Sequence, residues 1–539
     1  MKRLLTLAAL AAATVAQAQD SPVPRFSPED FHAHVAFLAD DVLEGRQTGS
    51  RGNLIAAHYV AAQFAAAGLV PAGTDGGWYQ TVRMRETRIV PDSGRVTIGD
   101  TVYRNGAGVV IQPSPLEQTQ DVSAEVVFAG HCLFEPKHRI DDFRGLDLRG
   151  KIVACLPGFP STLPSETAAY LVESRDRFIA ERGGIGTVTL WTRARERQVP
   201  FARLATQIDN PRMRLLLPSG EVLQSAPGMR VNASLSGEAA AALFAGARRS
   251  FAEVDRAGID APVRGFVLGR RIRIERQSSW KEIESPNVIG MVRGSDPALA
   301  PEIVVLGGHL DHLGIGNPVA GDAIYNGALD NAAGIATLIE VARATAAAPP
   351  RRSVLFVATT AEEKGLLGAE YFAENPTVPK DKVVAMIDLD MPILTYDFRD
   401  VVAYGAEHSS VAEFVAAAAG EMGLAVTPDP RPEETIFVRS DHYKYVKQGV
   451  PAIMLTTGEL NGGAEAYAHF LATNYHQPSD DLAQPIQWQS AARFAELNWR
   501  IMDRIANAAE PPRWYRGDYF GDLFAPSAPK VSRPARAGG

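Results

Sequence analysis

Six side chains in the C-terminal half of the sequence have the chemistry to hold and use metal ions: His309, Asp330, Glu362, Glu363, Asp390 and His476. Imidazole and carboxylate groups are ordinary zinc ligands. Each of the six stands where a strand or loop gives way to the next element. His309 follows the strand-like run Ile303 to Leu306 and two glycines. Glu362 and Glu363 follow Ser353 to Val357, and Asp390 follows Val383 to Leu389. Asp330 stands at the mouth of a helix that starts near Ala332, and His476 lies in the loop Asn474-Tyr475-His476-Gln477-Pro478. Taken singly, each has a plain structural role, such as a loop histidine, an N-cap or glutamates favoured by a helix dipole. Together they occupy the strand ends where open α/β sheets gather functional residues.

Charge balance points to two zinc ions. Their four positive charges are met by Asp330, Glu363 and Asp390 with a bridging hydroxide as the fourth negative charge. His309 and Asp390 would complete one zinc, Glu363 and His476 the other, and Asp330 would span both at a separation of about 3.5–4 Å. Glu362 is then free to take a proton from the bridging water and pass it to the leaving amine. Asp311, two residues past His309, is placed to accept the other ring N–H. His312 is a rival ligand, but His309 sits nearer the strand end.

The elements that must position these groups follow from hydrophobic patterning. Residues 27–85 read as helices and turns, with an amphipathic helix over Phe31 to Leu43 and an alanine-rich one ending at Ala67 before Gly68. From about 95 to 280 the chain shifts to short β-like runs such as Ala124 to Ala129 and Lys151 to Leu156. From about 285, strands alternate with helical stripes. This predicts an α/β domain with a mostly parallel central sheet and helices on both faces. The boundaries are a signal peptide over 1–18, an N-terminal part of the main domain over 19–95 and an inserted mainly-β domain over 96–280. The main α/β domain then covers 281–508, and a tail 509–539. That tail is expected to be poorly ordered except for Trp514, Tyr515, Tyr519 and Phe520, which could dock.

Four motifs resemble the co-catalytic two-zinc aminopeptidase family, the zinc exopeptidases of the bacterial leucyl aminopeptidase and aminopeptidase S type. They are Gly307-Gly308-His309-Leu310-Asp311, Ala328-Leu329-Asp330-Asn331, Ala361-Glu362-Glu363-Lys364-Gly365 and Asp388-Leu389-Asp390. Ser440-Asp441-His442 and Tyr475-His476-Gln477-Pro478-Ser479-Asp480 are similar to its later signatures, and Leu43-Glu44-Gly45-Arg46 to its lead-in. The segment around Asp142-Phe143-Arg144-Gly145 resembles an inserted protease-associated domain. The resemblance implies a zinc exopeptidase fold of the phosphorylase/hydrolase-like kind. It also implies a role for Tyr475 in stabilising the oxyanion, and a cis peptide between Asp330 and Asn331.

Composition limits the remaining choices. With 539 residues, 46% hydrophobic and 22% charged, the chain can bury more than one core. A net charge of -8 leaves no basic surplus for nucleic acid. The start, with Lys2, Arg3, an apolar Leu4 to Val15 and Ala16-Gln17-Ala18, has the form of a signal peptide. Export to the periplasm or medium follows, and no run is long enough to span a membrane. Cys132 and Cys155 are too few for a thiolate zinc site; they could pair in an oxidising compartment, or remain two buried thiols.

These readings converge on an exported zinc aminopeptidase acting on peptides through two zinc ions. A carboxypeptidase- or dipeptidase-like relative is the first alternative, with Arg439 either a partner for a substrate carboxylate or a plain surface arginine. Glutaminyl cyclase, which needs one zinc, is the second. A binding ectodomain with a relic site is the non-enzymatic alternative.

Overall fold

The computed structural model describes residues 23–160, 162–258 and 263–534. The expected signal peptide over 1–18 lies outside the described residues.

Two helices lead in. α1 (Pro28–Leu38) is capped by the Ser27 hydroxyl, which accepts from the Asp30 amide. α2 (Arg51–Ala66) is capped by Ser50 and stops before Gly68, which takes a φ of 89°. The principal sheet takes in β1 (Tyr79–Ile89), β2 (Phe266–Val292), β3 (Ile303–His309), β4 (Ser353–Thr359), β5 (Val383–Asp388), β6 (Asp400–Tyr404), β7 (Ala425–Thr427) and β8 (Ala452–Thr457), with the short strands Val70–Pro71 and Arg212–Leu215 added on β2 and β1. Their spatial order is β1, β2, β4, β3, β5, β8, β6, β7. The central strands β4, β3, β5 and β8 run parallel, while β1 with β2, β2 with β4 and β8 with β6 are antiparallel. The sheet is therefore mixed, with its parallel part at the centre, where the candidate ligands emerge.

Because successive strand residues face opposite sides, each central strand feeds two cores. Val304, Leu306, Val354, Phe356 and Ile387 enter one core with α1, α2, α3 (Ala333–Ala347), α5 (Val411–Glu421) and α7 (Trp488–Asn507), the labels α4, α6 and α8 belonging to Leu367–Glu374, His442–Val446 and Tyr519–Phe524. Val305, Leu355, Val357 and Met386 enter the other, beside Phe372 of α4, Tyr443 of α6 and Phe520 of α8. Burying each such side chain contributes about 1.5–3 kcal/mol. The double-sided burial explains why these strands lack polar alternation.

The second core runs on into the inserted segment, through Val127, Phe143 and Phe178. β2 crosses residue 280 without a break. Its first half pairs with Thr119–Phe128 of the insert and its second half with β1 and β4, so one strand joins the two sheets. The insert is less purely β than its punctuation suggests. Parallel strands Ile152–Cys155, Gly186–Leu190 and Val231–Leu235 alternate with short helices such as Ser165–Glu173 and the alanine-rich Gly237–Leu243. Cys132 and Cys155, both fully buried here, are joined as a disulfide.

The C-terminal tail departs from its expected disorder. It is held by the very aromatics that looked able to dock: Trp514 and Phe520 are buried, and the Trp514 indole donates to the Gly449 carbonyl at 2.8 Å. Residues 515 and 531 bridge, which closes the tail on itself. Burial of two large rings outweighs the turn-forming prolines around them.

Candidate metal centre

The strand ends bring all the predicted ligands into one cluster. His309 ends β3 with its Nε2 3.2 Å from Asp330 Oδ1 and 3.2 Å from Asp390 Oδ1. His476 places its Nε2 3.3 Å from Asp330 Oδ2 and 3.3 Å from Glu363 Oε2. Asp330 thus turns one oxygen towards His309 and Asp390 and the other towards His476 and Glu363. Backbone geometry is bent to achieve it: Ala361, Met391 and His476 have φ values of 57°, 46° and 57°, a left-handed region non-glycine residues seldom enter. The Asp330–Asn331 peptide is cis.

Electrostatics asks for a positive partner. Among the described residues no lysine or arginine forms an ion pair with Asp330, Glu362, Glu363 or Asp390. Burial alone would depress the His309 imidazole, but Glu362, Asp390 and Asp330 overcome it and hold its pKa well above the usual value. Burial, reinforced by Asp390 and Glu363, holds the Glu362 carboxyl well above the carboxylate range. A buried polar atom is left over too: the Nε2 of His312 has no hydrogen-bond partner. Buried groups of this kind are rarely left unsatisfied. Histidines and carboxylates in this arrangement fit zinc.

His312 emerges as more than a rival to His309. The two serve different halves: His312 Nδ1 lies 2.7 Å from Glu363 Oε1 and 3.8 Å from Asp330 Oδ2, on the His476 side. Asp311 corrects a further expectation. The His309 Nδ1 contact is to the Asp311 backbone carbonyl at 3.0 Å, not to its carboxylate. The side chain is engaged elsewhere, accepting from the Thr48 hydroxyl at 2.8 Å and the Glu362 amide at 3.1 Å. It therefore fixes the backbone of the expected catalytic base. Tyr475 lines the cleft and stacks on the His476 ring, centroids 3.9 Å apart. Burial, with the nearby Asp330 charge, keeps its phenol protonated.

Several positioning residues had weak or no sequence signal. Asp480, buried, accepts from the Leu329 and Asp330 amides at 3.0 Å each and so sets the bridging aspartate. Asn331 donates to the Leu389 carbonyl at 2.7 Å and accepts from the Gly334 amide at 3.1 Å, tying the Asp330 turn to the Asp390 turn. Ser440 donates towards Asp390 Oδ2 at 2.6 Å. Arg46 is buried and donates to the Leu310, Asn326 and Gly327 carbonyls at 2.9, 2.6 and 3.0 Å. Burial pushes its pKa down to about 10, opposed by Asp480 and Asp330. Asp480 and Arg46 fall within motifs visible in the sequence, but nothing local marked their partners.

A cleft opens directly beside the cluster. Beyond the ligands its wall includes Met391, Tyr404, Ile436, Met454 and Tyr467. An α/β sheet with a two-sided carboxylate and histidine cluster at its parallel strand ends, opening on such a cleft, defines a metal-dependent hydrolase architecture. Residues 287–502 match the model of Peptidase family M28. A probable zinc metalloprotease of Pyrenophora teres f. teres is 35% identical over 104 residues, covering 19% of this chain and 22% of that protein. A probable leucine aminopeptidase 2 of Aspergillus fumigatus is 27% identical over 213 residues, 36% of this chain and 39% of that protein. The matched stretches thus span well under half of these curated relatives. The solved structure of an aminopeptidase from Aneurinibacillus sp. strain AM-1 shares the fold with a TM-score of 0.53 at 20% identity, covering 90% of this chain and 97% of that one.

Proposed function

We propose that the protein is a zinc-dependent exopeptidase, an aminopeptidase that releases N-terminal residues from peptides. The observation that carries this reading is Asp330, whose two oxygens face two separate ligand sets. His309 and Asp390 would hold one zinc ion, Glu363 and His476 the other. Bound zinc would supply Lewis acidity and make water a usable nucleophile at neutral pH. The chain's own groups do the rest. Glu362, with its amide held by Asp311, takes the proton from the attacking water and returns it to the departing amine. Tyr475 offers a protonated phenol at the cleft wall for the developing oxyanion. The name of the Aspergillus fumigatus relative supports the prefix "amino", and the family match supports the peptidase. Export to the periplasm or medium is part of the same proposal. It is supported by the signal-like start and by the Cys132–Cys155 disulfide, a bond that persists in oxidising compartments. Among the described residues no helix is long and apolar enough to cross a membrane.

The test is Glu362→Gln. Turnover of aminoacyl substrates should fall by about 10²–10⁴-fold, while metal analysis still finds two zinc ions per chain. An unchanged rate would remove Glu362 from the mechanism, and a stoichiometry near one would favour cyclase-like chemistry instead.

A further inference from the structure

The cleft wall carries four carboxylic acids, two histidines and a set of aromatic and apolar groups, and a single permanently charged cation. Arg439 is the single lysine or arginine among the residues lining it. A second arginine nearby shows what a purely structural guanidinium looks like in this neighbourhood. Arg431 is ion-paired with Glu459, lies 3.8 Å from Glu434 Oε1 and covers the Tyr467 ring at 4.2 Å. Its charge is spent. Arg439 has no carboxylate within 4.0 Å among the described residues. Of the acids near it in sequence, Asp441 accepts from the Thr359 hydroxyl, and Glu434 gives its side chain to the Tyr467 hydroxyl at 2.9 Å and to Arg431. Only the Glu434 backbone carbonyl reaches Arg439, accepting from its Nη1 at 3.3 Å. One donor edge is thereby steadied while the rest of the guanidinium stays exposed and unpaired.

The element carrying Arg439 is fixed at both flanks. Ser440, the next residue, is bonded to Asp388 and Asp390 at the metal cluster. Phe437, two residues before, is buried against the His408 and Phe520 rings. The arginine is therefore held beside the reaction centre by a residue that also orients a metal ligand. A planar, permanently charged fork of this kind recognises carboxylates by paired, charge-assisted hydrogen bonds.

We infer that Arg439 binds a carboxylate of the substrate, so that the protein favours short peptides with a free C-terminus, or peptides with an acidic side chain near the scissile bond. This rests on the peptidase reading above and narrows it. Zinc would hold the reacting carbonyl in an otherwise acid-rich cleft, and Arg439 supplies the one cationic contact to a second point of the substrate. Two fixed points set the distance between them, which favours chains of one short length over long ones.

The test compares kcat/KM for Leu-Ala, Leu-Ala-amide, Leu-Glu-amide, Glu-Ala-amide and N-acetyl-Leu-Ala in the wild type, Arg439→Gln and Arg439→Lys. Zinc content is measured for each. The wild type should prefer Leu-Ala over its amide about tenfold or more. That ratio should fall towards one in Arg439→Gln and stay intermediate in Arg439→Lys. If the carboxylate comes from a side chain, one acidic amide will outrun Leu-Ala-amide instead, and Arg439→Gln will erase that preference. Equal losses on every substrate in Arg439→Gln, or no carboxylate preference in the wild type, would overturn the inference. Its failure is distinct from failure of the aminopeptidase reading, which would show as turnover of N-acetyl-Leu-Ala or of no free-amine peptide. In the last case, calorimetric binding of Leu-Ala and its amide to Glu362→Gln reads the same ratio without turnover; equal binding, or none, overturns the inference.

Discussion

Two clusters in this molecule are built from the same residue types and end in opposite states. At the strand ends, His309, His312 and His476 meet Asp330, Glu362, Glu363 and Asp390. At the far junction, His408 meets Glu166 from the insert, Asp518 from the tail and Glu407 from its own turn. Both collect ligand-type atoms closely enough to enclose an ion. The junction, however, is closed. His408 Nδ1 is 2.7 Å from Asp518 and Nε2 is 2.9 Å from Glu166, so an imidazolium satisfies both carboxylates. The strand-end cluster is open, with four carboxylates around three imidazoles and the buried His312 Nε2 left without a partner. A metal centre is marked by this unmet demand for positive charge, and residue type alone does not reveal it.

The comparison can be broken most severely at Asp330. Asp330→Ala removes the carboxylate common to both halves. Zinc content measured by atomic emission should fall from two ions per chain to one or fewer, with activity falling by at least the loss expected for Glu362→Gln. Retention of two ions would mean that Asp330 does not bridge.

The closed cluster predicts the reverse pattern. His408→Gln should leave zinc content at two but destabilise the fold by about 3–5 kcal/mol, because Glu166 and Asp518 lose their buried counter-charge. Thermal unfolding reads this directly, and a loss of zinc would show that the two clusters are not independent. The same histidine gives a pH signature. Burial opposes its charge, but the hydrogen bonds to Asp518 and Glu166 prevail and push its pKa up to about 10. An unfolded histidine titrates near ~6.5. A raised folded-state pKa means the stabilisation is complete below about pH 6.5, declines as pH rises and is gone above about 10. The Tm of the wild type should therefore drop between pH 7 and 10 more steeply than that of His408→Gln.

The smallest effect concerns the insert. Reducing Cys132–Cys155, which closes a sequence separation of 23, should cost about 3 kcal/mol. It should leave metal content unchanged. A reductant that stripped zinc would tie the insert to the centre more closely than their separate hydrogen bonds suggest.

Much of the catalytic half was legible in the chain because its signals are short-range. Runs such as Val304 to Leu306 and Val354 to Val357 are buried on both faces, so they declare themselves as central strands, and a polar residue just past them is exposed as a strand-end group. The α2 stop at Gly68 and the stripe of α7 are equally local. The insert was harder, since its short helices are interleaved with punctuation that also suits strands. The tail was misjudged in the same way: proline and arginine composition suggested disorder, but Trp514 and Phe520 found a distant core.

By itself, then, the sequence determined the strands and helices of the C-terminal half and the positions of the six metal-competent residues at their ends. Tertiary structure alone decided how those residues divide. It turned the two oxygens of Asp330 to different halves, sent the Asp311 carboxylate to Thr48 and Glu362, and placed His312 beside Glu363. It also left Arg439 unpaired while closing His408. The reason is range: a strand end is written in its neighbouring residues, whereas the fate of a charged group depends on partners such as Asp480 for Asp330, 150 residues away. Whether such a group is satisfied, or left in need of an ion, is settled only when the chain has brought those partners together.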